Sequence, residues 1–142
     1  MTFWYYFLRG WSGTKVWLHS YGFKGANLNN GTFDILLELA VKNPLLVSIP
    51  IHKISGTIYL NNSKIATIDT TYNKKVLARK TNIIPIPLVC NMGAVGDIAK
   101  IAIHNNNLDG QELMVILDVE IGTDDSNVTI PVNTTVIIGQ EG

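Results

Sequence analysis

Apolar and polar residues alternate along most of the chain with the period of a β-strand. Over residues 33–41 every second residue is apolar, and Asp34 and Glu38 occupy positions between them. A period of two places the apolar set on one face of a strand, against a core. Leu36 and Ala40 interrupt the polar face. We therefore expect that the outer face of this strand is half covered.

Other segments of the chain have the same strand-like character and are separated by turn signals rich in Gly and Asn. They are residues 14–23, 45–54, 56–69, 81–89, 112–121 and 128–138. In the first of them, strict alternation places Val16, Leu18 and Ser20 on one face and Trp17, His19 and Tyr21 on the other. Residues 24–31 have the composition of a turn.

Two local signals refine the predicted sheets. Asn61, Asn62 and Ser63 separate two short β-branched and aromatic runs, which is typical of a hairpin within 56–69. Pro85 and Pro87 lie in the segment 81–89 and cannot donate a backbone hydrogen bond. We expect that segment at the edge of a sheet.

The stretch 92–106 departs from strand periodicity and predicts one short amphipathic helix. Its apolar positions at helical spacing are Val95, Ile98, Ala99, Ala102 and Ile103. Gly96 weakens the helix, and a run of three Asn residues ends it. About seven strands with one helix predict an all-β protein, a fibronectin-III/immunoglobulin-like β-sandwich.

The strand over 33–42 stops at Asn43-Pro44. Proline fixes its own φ, has no N–H, and forces the preceding residue to extended geometry, so strand pairing ends there. The Asn43 side chain can cap the freed backbone locally. On local physics alone, the pair is a strand terminator.

Composition excludes several classes of function. The 142 residues are 46% hydrophobic and 15% charged, and 11 basic residues balance 11 acidic ones, so the electrostatic signature of a nucleic-acid-binding protein is missing. Cys90 follows an apolar run and is expected to be a buried, inert thiol. The three histidines, His19, His52 and His104, lie far apart and do not suggest a zinc site. We find no catalytic motif, and we predict no enzyme activity and no cofactor.

The order of these motifs resembles the late embryogenesis abundant 14-like family, also called the LEA-2 or WHy domain. Asn43-Pro44 at a strand end is followed by an apolar segment, by the hairpin Tyr59–Ala66, and by the extended "IIPIPLV" before a helix. The resemblance covers about Thr14 to Ile138, although Asn61-Asn62 stands where the family often has Asn-Gly. It implies a seven-stranded fibronectin-III-like sandwich with one helix, and a non-enzymatic role linked to water-stress tolerance. It marks Asn43, Pro44 and Tyr59 as structural motif residues.

The first 13 residues form an aromatic N-terminal arm ahead of a sandwich domain over 14–142. Nine of the twelve aromatic residues of the chain fall within the first 23 positions. The arm could plug one end of the sandwich, dock on a neighbouring protein, or lie on a membrane surface. For docking, the candidate interface residues are Phe3, Trp4, Tyr5, Tyr6, Phe7 and Trp11.

These features lead to two functional hypotheses. The first is a structural or interaction subunit of a larger assembly, such as a ring or connector component of a bacteriophage virion, which docks through the arm on copies of itself or on other subunits. The alternative is a monomeric LEA14/WHy-type stress-protectant or partner-binding protein. The sequence predicts a virion or cytoplasmic location, because the apolar run over 3–8 is far too short to span a bilayer and no signal peptide is recognisable. Membrane contact is not favoured by these signals.

Overall fold

The computed structural model describes residues 14–105, 107–123 and 126–139. Its strands are β1 (Lys15–Asn27), β2 (Thr32–Asn43), β3 (Ile49–Leu60), β4 (Ser63–Val76), β5 (Lys80–Asn91), β6 (Glu112–Thr123) and β7 (Ser126–Ile137). A 3-10 turn (Met92–Ala94) and one helix, α1 (Asp97–His104), lie between β5 and β6. The arm over 1–13, with all of its predicted interface residues, lies outside the described residues.

The strands form two antiparallel sheets that share one hydrophobic core. The three-stranded sheet has the order β1-β2-β5, and the four-stranded sheet has the order β4-β3-β6-β7. Leu37 and Leu39 of β2 are fully buried in the same cluster as Ile54 of β3 and Leu117 of β6. The predicted all-β class, with one helix, is confirmed.

Strand β2 carries the alternation that the sequence predicts, and its outer face is partly covered, with Asp34 and Lys42 exposed at its two ends. Ala40 is fully buried although it points away from the core. The register places Ala40 between Trp17 of β1 and Ile83 of β5, whose large side chains flank it. Leu36 is half-buried on the same face.

Strand β1 corrects two predictions. It continues to Asn27, through residues predicted to be a turn. A register shift between Leu18 and Ser20 also inverts the alternation, so that Tyr21 packs against the core as Leu18 does, although strict alternation places the two on opposite faces. A bulge adds one unpaired residue and thereby moves every later side chain to the opposite face.

The bulge changes the direction in which the side chains of Ser20 and Tyr21 point, and both form hydrogen bonds. Ser20, predicted to share a face with Leu18, instead donates its hydroxyl to Glu38 Oε1 at 2.6 Å. The Tyr21 hydroxyl donates to the carbonyl of Ile137 at 3.4 Å, which ties β1 to β7 across the two sheets. The edge strands β1 and β7 of the two sheets are therefore in contact.

The two local signals are confirmed. Asn61 and Asn62 form the two-residue turn between β3 and β4, with φ of 48° and 69°. Two successive positive φ values are those of a type I′ turn, which matches the twist of the flanking strands. Strand β5 lies at the edge of the three-stranded sheet, and Pro85 and Pro87 are exposed there.

The helix is shorter than the predicted pattern, and the face that it turns to the core differs in one residue from the predicted face. Ala99 and Ile103 are buried as predicted, whereas Ile98 is exposed and the prediction that it faces the core is wrong. Val95 is buried but precedes the helix. Ala102 is partly buried and also packs against the core as predicted, so that Ala99, Ala102 and Ile103 hold the two turns of helix there. No helix in the described ranges has the length and apolar character needed to cross a membrane.

Candidate functional site

The Asn43 side chain is buried and satisfies three backbone groups. Its Oδ1 accepts the Leu45 N–H at 2.9 Å, which is the local cap that the sequence predicts. Its Nδ2 donates to the carbonyls of Val47 at 2.9 Å and of Val76 at 3.0 Å. The bond to Val76, 33 residues away, could not be read from the local sequence.

Pro44 begins the connection through which the chain passes from one sheet to the other. β2 ends at Asn43 in the three-stranded sheet, and β3 begins at Ile49 in the four-stranded sheet. The connection 77–79 returns from β4 to β5, and the Arg79 N–H donates to the Leu45 carbonyl at 3.0 Å. The two crossing connections therefore run side by side.

Tyr59 does not belong to this arrangement. It lies near the far end of β3, where it pairs with Lys64 after a register irregularity that follows Ile58. The structure therefore brings Asn43 and Pro44 together with the β4–β5 connection and leaves Tyr59 at the hairpin end. Tyr59 also pairs with Met114 of β6.

A groove of about 620 Å³ opens between β4 and β5, which are edge strands of different sheets. The connection 77–79 joins the two strands at one end, and the sheet edges line the groove beyond it. Its lining residues are Ala66, Thr67, Ile68, Asp69, Thr70, Tyr72, Ile86, Pro87, Leu88 and Val89. The sequence predicts both strands but not that their free edges face each other.

The two edges of the groove differ in hydrogen-bonding capacity. β5 pairs with β2 in unbroken register, so its proline nitrogens must face away from β2. Pro85 and Pro87 thus remove two donors from the free edge of β5. On the other side, residues 66–70 of β4 pair with residues 54–58 of β3 without a register shift. The outward backbone groups of that stretch form a regular strand edge, which can pair with an added strand.

The titratable side chains in the groove have simple environments. Asp69 forms an exposed ion pair with Lys53, with 3.1 Å between Oδ1 and Nζ. Burial raises the pKa of Tyr72, so its hydroxyl stays protonated. In the three described ranges of the chain, no group of three His, Cys, Asp or Glu side chains could hold a metal ion. The groove has the character of a binding surface for a chain with unpaired backbone groups.

Cys90 is fully buried, as the sequence predicts. Its burial raises the pKa of the thiol to about 12, and the negative charge of Asp34 contributes to the rise. Because the thiolate is the reactive form, this thiol is chemically inert at neutral pH.

Comparison with solved structures shows a shared fold. A protein from Archaeoglobus fulgidus matches 87% of this chain and 98% of its own, with a TM-score of 0.60 and 15% identity. An Arabidopsis thaliana protein matches 85% of this chain and 78% of its own, with a TM-score of 0.67 and 20% identity. A protein assigned to the late embryogenesis abundant (LEA) group matches 88% of this chain and 70% of its own, with a TM-score of 0.62 and 18% identity.

The chain therefore has a LEA-2-like fold, in agreement with the resemblance in its motifs. No family model matches the sequence, and no curated protein is significantly similar to it. At these identities, the likeness concerns the fold alone.

Proposed function

We propose that this protein is a non-enzymatic, LEA14-type binding protein, whose two sheets form a fibronectin-III/immunoglobulin-like sandwich. It binds an extended segment of a partially unfolded protein along the free edge of β4. The observation that carries this proposal is the groove between β4 and β5, where one edge retains its backbone donors and the other has lost two of them to proline.

The asymmetry of the groove favours a single added strand rather than closure of the two sheets. An extended peptide that pairs with residues 66–70 would gain main-chain hydrogen bonds, which give affinity without strict sequence requirements. The aliphatic and proline side chains of β5 would cover its other side. Tolerance of sequence is what a protein that protects many partners needs.

The LEA-like structural neighbours support this proposal more than they support an assembly subunit. The comparisons give no support to a virion component. Docking through the aromatic arm stays a prediction, because residues 1–13 lie outside the described residues.

A protection assay tests the proposal. Light scattering would record the aggregation of a heat-labile client enzyme with and without this protein, and an inert globular protein of equal mass would serve as a reference. We expect this protein to delay the aggregation of the client enzyme and the reference protein to have no effect. Thr67→Lys with Val89→Lys places two charges on exposed groove positions and should remove the protection, because lysines on a strand edge oppose pairing.

Thr129→Lys is the matched control, because Thr129 is exposed on β7, the other edge of the same sheet. It should leave the protection unchanged. No protection by the unmodified chain, or equal losses in the groove variant and in Thr129→Lys, would contradict the proposal.

A further inference from the structure

Basic side chains gather at the end of the molecule where β2 and β4 finish and β5 begins. They are Lys42, Lys74, Lys75, Arg79 and Lys80, all exposed. The segments 42–52 and 72–82 contain these five and no Asp or Glu. Within the part of the chain that the structure describes, none of the five has an ion-pair partner. These two segments are therefore positively charged, whereas Asp124 and Asp125 belong to the connection between β6 and β7, two strands that meet at the same end.

Exposed aliphatic side chains stand at the same end, on the two crossing connections. Leu46 is 81% exposed, Val47 60% and Leu77 50%. The Arg79 N–H bond to Leu45 and the two Nδ2 bonds of Asn43 hold the connections together. The aliphatic tips thus lie on two adjacent connections, at the same end as the basic side chains.

The basic side chains line two separate recesses. One, of about 320 Å³, is lined by Lys42, Asn43, Pro44, Arg79, Lys80 and Thr81. The other, of about 240 Å³, is lined by Pro50, Ile51, His52, Tyr72, Lys74 and Lys75. Each has room for a small anionic group between two or three cationic side chains.

The opposite end of the molecule shows which feature is distinctive. Ile98 and Ile101 of α1 are 75% and 62% exposed there, so apolar exposure alone does not separate the two ends. The balance of charge does, because α1 has Lys100 together with Asp97, and the nearby connection holds Asp109. Among the described residues, the first end has five exposed basic side chains without an ion-pair partner beside its aliphatic tips.

We propose that this end docks on an anionic phospholipid surface. Leu46, Val47 and Leu77 enter the headgroup region, and the five basic side chains bind the anionic headgroups. Apolar burial and attraction to anionic lipid together provide interfacial binding that neither provides alone. A nucleic acid would match the charge but would leave the central aliphatic tips in water.

β1 also begins at this end, where Lys15 pairs with Lys42. The proposal opposes the expectation from the sequence that membrane contact is not favoured, which rested on the shortness of the apolar run over 3–8 and on the lack of a recognisable signal peptide. It does not depend on the groove, which lies along the side of the molecule.

Co-sedimentation of the full chain with vesicles tests the proposal. We expect binding to vesicles of phosphatidylcholine mixed with phosphatidylserine, little binding to phosphatidylcholine alone, and release by salt. Each basic residue near such a surface strengthens binding about fivefold, so Lys74→Glu with Lys75→Glu and Lys80→Glu should weaken it more than about 100-fold. Leu46→Ser with Val47→Ser should weaken it about tenfold or more.

Matched controls come from the opposite end. Ile98→Ser with Ile101→Ser changes equally exposed aliphatic residues, and Lys24→Glu with Lys64→Glu changes exposed lysines beyond the cluster. Both should bind as the unmodified chain does, and all four variants should keep its melting temperature. Absence of binding to anionic vesicles, equal binding to neutral ones, or equal losses in variants and controls would overturn the proposal. So would binding that only Trp4→Ala with Tyr5→Ala removes.

Discussion

The side-chain amide of Asn43 donates to the carbonyl of Val76 at 3.0 Å and thereby joins the ends of two strands that belong to different sheets. The same nitrogen donates to Val47, in the connection that leaves β2. One buried amide thus fixes both crossing connections. The Asn-Pro pair ends β2 through its proline and holds the sheets together through its asparagine.

Replacement of Asn43 should destabilise the fold. Asn43→Ala leaves the carbonyls of Val47 and Val76 without their donor and the Leu45 N–H without its acceptor. An unsatisfied buried group costs about 1–3 kcal/mol, so we expect a loss of roughly 3 kcal/mol in the free energy of unfolding. Urea denaturation followed by tryptophan fluorescence would measure it.

Asn91→Ala provides the control, because Asn91 Oδ1 accepts the Gly93 N–H at 2.8 Å in an exposed turn. Water can replace that bond, and the expected loss is about 0.5–1 kcal/mol. Equal losses for the two variants would show that the long-range bonds of Asn43 add nothing to stability.

Gly56 of β3 pairs with Leu117 of β6 and lies close to the backbone of that strand. A Cβ atom at this position would be 2.0 Å from the Ile116 carbonyl oxygen and 2.8 Å from Leu117 Cα. Both are backbone atoms of a paired strand and cannot move aside cheaply. We therefore expect Gly56→Ala to lower the free energy of unfolding by about 3 kcal/mol or more.

Gly22→Ala is the matched control on the edge strand β1. A Cβ there would contact only the flexible Lys24 side chain, at 3.6 Å. The change should be within about 0.5 kcal/mol, since a strand position without strain accepts alanine readily. Thermal unfolding of both variants would settle the comparison, and a mild effect at Gly56 would mean that β3 and β6 can separate.

The sequence predicts much of the fold because most of it follows from local rules. The alternation in β2, the prolines of β5 and the turn after Leu60 each have a physical cause within a few residues. The bulge after Leu18 has no such local cause. The residue types around it are those of an ordinary strand, so the sequence does not indicate an extra residue there. The prediction that Ile98 faces the core is wrong for a different reason. Periodicity shows which residues share one side of a helix, but not how many of them the core contacts.

The candidate sites depend on relationships between distant residues. The groove exists because β4 and β5, consecutive in sequence, lie in different sheets, and no local pattern states this. The basic end exists because the pairing of β2 with β5 places Lys42 opposite Thr81, next to Lys80. The aliphatic tips, Leu46 and Leu77, read as ordinary hydrophobic residues until the structure shows their exposure.

The turn between β3 and β4 offers a stabilising substitution. Asn62 has a φ of 69°, a conformation that glycine adopts more readily than asparagine. Asn61 should be kept, because its Oδ1 accepts the Glu112 N–H at 2.9 Å. We expect Asn62→Gly to raise the free energy of unfolding by about 0.5 kcal/mol and Asn62→Ala to lower it by about 1 kcal/mol. A melting temperature lowered by both changes would mean that the Asn62 side chain has a role beyond the turn.

The buried thiol of Cys90 gives a prediction about alkaline pH. Its pKa is raised from 9.0 to about 12, first by burial and then by the charge of Asp34. Between these two values the unfolded chain has lost the thiol proton and the folded chain retains it. The contribution of the thiol to stability is therefore fully present below pH 9.0 and declines as the pH rises toward about 12.

We expect the urea midpoint of the unmodified chain to fall more steeply over that interval than the midpoint of Cys90→Val, in which the other titrating groups are unchanged. A thiol reagent should likewise react with Cys90 only after urea unfolds the chain, because the neutral buried thiol is a poor nucleophile. Parallel slopes for the two proteins would show that the thiol ionises equally in both states. Rapid labelling of the folded chain at neutral pH would show instead that β5 opens readily from β2 and exposes Cys90.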